Sequence, residues 1–278
     1  MTLLSSILLG IIQGVTEFLP ISSSGHLAIA QQLLGVQGLE TPEFFDVLLH
    51  LGTLLAVFVA YWAEIREMIL EFFRGIGDLA HHATPTPPPP ARRMILLIIV
   101  GTLPLFAVLP IRHQVEALGS NLYFVAIALI ITGCLLFVSD RVPRGRKNER
   151  SATMKDVLLV GVGQALATCP GISRSGTTIT AGCLVGFDRP FAVRYSFLMS
   201  IPAILGANLL TLVDVMGEGG VIWAEAPIYL VGVVVSALVG YGCIRLLKMI
   251  AEKGKFGFFA YYCWAVGALT LLGKLFIH

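Results

Sequence analysis

Charge is what this chain has least of. Only 13% of its 278 residues are charged, against about 25% in an ordinary soluble domain. Hydrophobic residues make up 56% and the mean hydropathy is +0.85, which excludes a typical soluble domain and places the chain in the membrane class. The net charge of +2 is small and no basic stripe is interleaved with aromatics, so no nucleic-acid partner is expected. Five cysteines, odd in number and without a C-x-x-C pair, exclude a disulfide framework and a zinc site. The N-terminus, Met1-Thr-Leu-Leu-Ser-Ser, has no positive n-region, so a removable signal peptide is not expected.

What is abundant is long apolar sequence. A spanning helix needs about 20 apolar residues, and six runs qualify: 44 to 62, 93 to 111, 121 to 139, 189 to 213, 226 to 250 and 258 to 277. Two further stretches, 3 to 35 and 155 to 186, are too long for one span and too polar for two. They are broken at Pro20-Ile-Ser-Ser-Ser-Gly-His26 and at Pro170-Gly-Ile-Ser-Arg-Ser-Gly-Thr-Thr178. Non-helical backbone at membrane depth is tolerated where it is buried in protein or lines a wet cavity. Both stretches are therefore expected to be re-entrant helix-loop-helix hairpins, bent where proline withholds a donor and glycine permits a turn.

The two broken stretches read as copies. A constant offset places Gly10 on Gly161, Gln13 on Gln164, Ser22 on Ser173, Ser24 on Ser175 and Gly25 on Gly176. The expected fold is an all-α integral membrane protein, a single domain over 1–278 with repeat one at 1–139 and repeat two at 155–278. Each half is one hairpin followed by three transmembrane helices, and an odd number of spans turns the second half upside down. Charge placement gives an independent orientation, because cytoplasmic loops are enriched in Lys and Arg. All but Arg112, Arg174 and Lys274 of the 19 basic residues fall on one side, in segments 63–93, 141–155, 189–194 and 245–255. The loop 214–225 carries Asp214, Glu218 and Glu225 and no basic residue. Within 63–92, Ile65, Met68, Ile69, Phe72, Phe73, Ile76 and Leu79 recur at helical spacing among charges. This pattern predicts a cytoplasmic amphipathic helix, and Ala83 to Pro90 forms a proline-rich linker.

The residues at the breaks are those that bind and attack phosphate. Glu17 is a carboxylate in an apolar segment, a functional site by default, and Gln13 lies one helical turn before it. Ser22, Ser23, Ser24 and His26 follow within a few residues, offering a hydroxyl or imidazole nucleophile with a base nearby. Arg174 adds a permanent, forked cation that matches a phosphate oxyanion. Ser173, Ser175, Thr177 and Thr178 add hydroxyl donors, and a helix beginning there would point its positive end at an anion. Asp46 and His50 share a face of the first span and are read as lining the cavity or its mouth. Attack by Ser23, by His26, or by Ser23 or water with His26 as base are not separated by the residues themselves. An inverted repeat fits a lipid-carrier flippase or transporter as well as an enzyme.

Gln13-Gly-Val-Thr-Glu17-Phe-Leu-Pro-Ile-Ser-Ser-Ser-Gly-His26 and Pro170-Gly-Ile-Ser-Arg-Ser-Gly-Thr-Thr178 resemble the two signature regions of the bacterial undecaprenyl-diphosphatase family, also called the bacitracin resistance protein family. The resemblance implies a hydrolase of the bacterial inner membrane, with its active site open to the exterior. It would cleave undecaprenyl diphosphate to the monophosphate and phosphate, recycling the carrier for peptidoglycan synthesis and conferring bacitracin resistance. It further implies a divalent cation, magnesium or calcium, held by Glu17. Glu17, Ser23, His26 and Arg174 would be catalytic, and Gln13, Ser22, Ser24, Ser173, Ser175 and Thr178 would bind substrate. Many members carry glutamate where this chain has Gln13, which removes a second carboxylate. The expected partners are the polyprenyl lipid and the surrounding membrane lipid; a homo-oligomer is left open.

Overall fold

The computed structural model of the protein describes residues 1–35, 42–81, 85, 87–217 and 225–276. Among them the chain is helical, with one isolated bridge between Lys147 and Phe187. Ala83, Thr84 and Thr86 of the proline-rich linker, residues 218–224 of the acidic loop and Ile277 at the end of the last expected run lie outside the described residues.

Helix α1 (Leu3–Phe18) stops where Pro20 withholds its backbone donor, and Leu19 turns extended at φ −65° and ψ 140°. The chain crosses Pro20 to Ser22 and resumes as α2 (Ser23–Leu33), which packs back on α1. Ser22 caps α2 by accepting from the Gly25 N–H, and does so at φ +74°, a left-handed conformation costly for a non-glycine residue. The second break is built alike. Helix α8 (Met154–Leu166) begins with a reciprocal Thr153/Asp156 capping box and ends before Pro170. Helix α9 (Arg174–Leu184) starts on Ser173, which accepts from the Gly176 N–H, and packs on α8. The chain enters and leaves this pair beside one residue: Lys147 bonds Asp156 at the start of α8, and its backbone pairs with Gly186 and Asp188 beyond the end of α9.

Among the described residues four helical segments are long and apolar enough to cross a membrane: Pro90–Ser120, Leu122–Ser139, Arg189–Gly217 and Ala226–Lys253. A fifth arises if α3 (Pro42–Ala60) and α4 (Trp62–Ala80), bent 83° apart, count as one span. The expected first span thus ends at Ala60 rather than continuing straight to residue 62. The expected run 93 to 111 is not one α-helix either. Helix α5 (Pro90–Thr102) passes into 3-10 turns at Leu103–Ala107 and Leu109–Ile111, because Pro104 and Pro110 each remove a helical donor. The short α6 (Arg112–Ala117) follows, then α7 (Leu122–Ser139), α10 (Arg189–Gly217), α11 (Ala226–Lys253) and α12 (Gly257–Phe276).

Polar contacts gather at the two ends of α10 and α11, helices about 43 Å long at ~1.5 Å per residue. At one end Arg189 reaches Asp140 and the Gly254 carbonyl, Arg194 bonds Glu149 and Arg93 bonds the Glu149 and Ala152 carbonyls. At the other, the Met1 ammonium meets Glu225 at 2.5 Å and Arg112 meets Asp214 at 2.5 Å. Helix α4 buries Ile65 and Glu71: Glu71 accepts from Arg74 and Arg92, and Asp78 from Arg92. Its apolar face, with Trp62, Ile69, Phe73 and Ile76, is exposed.

The interior seats both breaks. Phe18, Leu19 and Ile21 pack with Ile179, Phe197 and Leu198 in one buried cluster, and Phe18 meets Phe197 edge to face at 5.4 Å. Helix α1 lies directly on α11 because Gly14 has no side chain: a Cβ there would sit 2.8 Å from the Ser236 carbonyl oxygen.

Candidate active site

Glu17 lies in the last turn of α1 and is 7% exposed. Burial of a carboxylate is costly unless it is paired, and every neighbour answers it. Arg174, the first residue of α9, donates from Nη2 to Glu17 Oε1. Ser23 Oγ donates to Oε2 at 2.7 Å and Gln13 Nε2 to the same oxygen at 3.2 Å. His50 Nε2, from α3, stands 3.6 Å from Oε2. Two breaks far apart in the chain thus share one ion pair.

The breaks also touch through their backbones. The Gly171 N–H donates to Ser24 Oγ at 3.2 Å, and Ser175 Oγ reaches the Leu19 carbonyl at 3.5 Å. Gly171 adopts φ +90° and admits no side chain, since a Cβ would meet the Val125 oxygen at 2.7 Å. Thr132 of α7 pins the second break from behind, donating to the Gly171 carbonyl and accepting from the Ser173 N–H.

Two unmet groups face this contact. Arg174 Nη1 and Gln13 Oε1 are buried with no hydrogen-bond partner. A buried guanidinium N–H left unpaired is costly, and here it adjoins two helix N-termini, α2 and α9, whose partial positive ends favour an anion. Among the described residues no three His, Cys, Asp or Glu side chains cluster to cage a metal. The oxygens that could face a cation are Gln13 Oε1, which has no partner, and those of Glu17, which Arg174, Ser23 and Gln13 already engage.

His26 has a fixed tautomer. Its Nδ1 lies 2.8 Å from the Ser22 carbonyl, which only accepts, so Nδ1 carries the hydrogen. In the neutral ring Nε2 then presents its lone pair, 3.0 Å from the Tyr262 hydroxyl. His26 and Ser23 bond different partners.

The structure therefore brings Gln13, Glu17, Ser23 and Arg174 into direct contact, with Ser24 joining the breaks. The hydroxyls of Ser22, Ser173 and Ser175 are engaged by caps, by one another and by backbone. Thr178 Oγ1 is directed to the Arg174 carbonyl and to Ser196 Oγ. Tyr262 and Thr132 escaped the sequence reading. Tyr262 sits in an aromatic-rich run with no pattern to single it out, whereas Thr132, a hydroxyl in an otherwise apolar span, could have been flagged.

With this geometry in hand, the chain matches the family model described as bacitracin resistance protein BacA over residues 6–269. The chain belongs to the bacitracin resistance protein family. Similar members, each called undecaprenyl-diphosphatase, include one from Methanobrevibacter smithii, 40% identical over 279 residues that cover 99% of both chains. Those from Methanosphaera stadtmanae, at 39% with 97% of both chains covered, and Desulfatibacillum aliphaticivorans, at 42% with 98% covered, are similar throughout as well. Family membership and the long apolar helices together make this a multi-pass membrane protein.

Proposed function

We propose that the protein hydrolyses undecaprenyl diphosphate to undecaprenyl phosphate and inorganic phosphate, recycling the lipid carrier for peptidoglycan synthesis. The observation that carries this reading is Arg174: one arm is paired with Glu17, and the other is a buried donor without a partner. A diphosphate is an acceptor-only group, so its terminal phosphoryl oxygens complete Nη1.

The C55 tail lies among the lipid-facing helices and the diphosphate enters where the breaks meet. Ser23 Oγ attacks the terminal phosphorus and passes its proton to Glu17 Oε2, already its hydrogen-bond acceptor. In phosphoryl transfer a carboxylate suffices to accept the proton of an attacking hydroxyl. The bond from phosphorus to the bridging oxygen breaks, and its electron pair leaves with undecaprenyl phosphate, a leaving group that needs no proton. Arg174 Nη1 and the N-termini of α2 and α9 meet the charge on the transferring group. Water then attacks the phosphoserine and His26 Nε2 takes its proton, which it passes to solvent as phosphate departs. Ser23 Oγ leaves and recovers its proton from Glu17. A divalent cation, magnesium or calcium, fits Glu17 and Gln13 Oε1 together with substrate oxygens, the sparse protein set that magnesium accepts. When bound, it would neutralise diphosphate charge.

The same reading extends to topology. The paired caps at Ser22 and Ser173, and the return of α9 to Lys147, support two re-entrant hairpins in an inverted repeat, residues 1–139 and 155–278. The gathering of basic residues at one end of α10 and α11 supports placing that end in the cytoplasm, with α4 on that surface. The hairpin site would then open to the outside of the bacterial inner membrane. A flippase is disfavoured, because the relatives carry hydrolase names and Ser23 is already bonded to a carboxylate.

The test is phosphate release by the purified, detergent-solubilised protein given a polyprenyl diphosphate and magnesium. Release in step with the monophosphate is expected; its absence would favour transport. In His26→Ala a phosphoester on Ser23, acid-stable and base-labile, should accumulate. An acid-labile phosphoramidate trapped on His26 in the wild type would contradict the Ser23 assignment.

A further inference from the structure

Tyr262 contributes to this site from outside both signature stretches. It lies on α12, and its ring stacks on His26 with centroids 5.6 Å apart and planes 8° from parallel. Its hydroxyl is 3.0 Å from His26 Nε2. Because Nδ1–H is committed to the Ser22 carbonyl, the tyrosine is the donor to Nε2 in the neutral ring. These two bonds and the stack fix the imidazole at both nitrogens and on one face. A ring flip, which would put Cδ2 and Cε1 where Nδ1 and Nε2 now lie, breaks both bonds at once.

Helix α12 is itself held in place. Trp264 Nε1 donates to the Ile130 carbonyl of α7 at 3.2 Å, and Gly267 lets α12 approach the Ala126 carbonyl, which a Cβ would meet at 2.8 Å. Thr132 on that same α7 bonds the second break. One helix thus registers both His26, through Tyr262, and the loop that carries Arg174.

We propose that Tyr262 is a positioning residue for the hydrolytic step. Its hydroxyl holds the His26 Nε2 lone pair in the resting protein and yields it to the incoming water. The proposal rests on His26 being the base for that water, and the experiment keeps the two ideas apart.

Diethyl pyrocarbonate acylates the unprotonated ring nitrogen of histidine, so its reaction at His26, followed by mass spectrometry of the His26 peptide, reads the Tyr262 bond without catalysis. Tyr262→Phe keeps the stacking ring and removes only the hydroxyl from a side chain 38% exposed. Acylation of His26 should accelerate about 2- to 10-fold, the size of one net hydrogen bond. The kcat for phosphate release should fall by a similar factor with KM unchanged, the signature of an interaction that acts on the chemical step. Unchanged acylation, unchanged kcat, or a raised KM at constant kcat would each overturn the proposal. If Tyr262→Phe loses its fold, Tyr262→Gln, which keeps a donor, is read in its place: slow acylation and retained turnover are expected, and wild-type turnover with unprotected His26 would overturn the proposal. Full activity in His26→Ala would instead overturn the role of His26, while the acylation result would still report on the contact.

Discussion

Arg174 and Glu17, 157 positions apart, close an ion pair between the two breaks in the helical scaffold. Their side chains are 17% and 5% exposed. Removing one partner of a buried pair strands the other charge, at a cost of about 3–5 kcal/mol. Glu17→Gln and Arg174→Met should each lower the midpoint of thermal unfolding in detergent. The double variant should lose clearly less than the sum, because it strands no charge. Additive losses would show that the two side chains do not act as a pair.

Gly171 sets how closely the breaks approach. It combines φ +90° with a Cβ position 2.7 Å from the Val125 oxygen, so Gly171→Ala adds both backbone strain and a clash, together about 1–3 kcal/mol. The variant should melt lower. Its phosphate release should fall further than its folded fraction, because the Gly171 N–H holds Ser24.

The loop end of α8 carries a pH-dependent contribution. Burial works against the Asp156 carboxylate, but the Lys147 ammonium and the Thr153 cap outweigh it and hold its carboxyl below the usual aspartate range. A depressed folded value means stability that is present above the unfolded value, near 3.9, and lost as pH falls through the folded one. Asp156→Asn should therefore be less stable than the wild type at pH 7. The difference should shrink as the pH drops below about 4, read as paired unfolding midpoints across that range.

Gln13 leaves the cation a single carboxylate. Gln13→Glu places a second one a helical turn from Glu17, and added ligand charge tightens binding of hard cations. Half-maximal activity after chelator treatment should return at a lower magnesium concentration in Gln13→Glu. Identical magnesium titrations would remove Gln13 from the cation's surroundings.

The breaks were legible because membrane sequence makes polar residues conspicuous. Glu17, Ser23, His26 and Arg174 stood out against apolar neighbours, and proline with glycine marked both turns. What the pattern could not carry is partner choice. His50 was visible as a polar residue on α3, but not its approach to Glu17. Thr178 looked like a phosphate donor, yet its hydroxyl donates to the Arg174 carbonyl and meets Ser196 Oγ, on a different helix, at 2.6 Å. Tyr262 is one aromatic among several between Phe258 and Trp264, and only the packing of α12 on α7 brings it to His26. The 83° bend between α3 and α4 falls at Tyr61, with neither proline nor glycine to announce it.

In the proposed mechanism the free arm of Arg174, beyond its pairing with Glu17, clamps the phosphoryl group. Arg174→Lys measures this most directly, because lysine keeps the positive charge opposite Glu17 but has no second arm. With folding verified, phosphate release from a polyprenyl diphosphate should fall by about 10²-fold, as for loss of one oxyanion donor. Release at the wild-type rate would show that Arg174 serves only as a counter-charge, and would contradict the account.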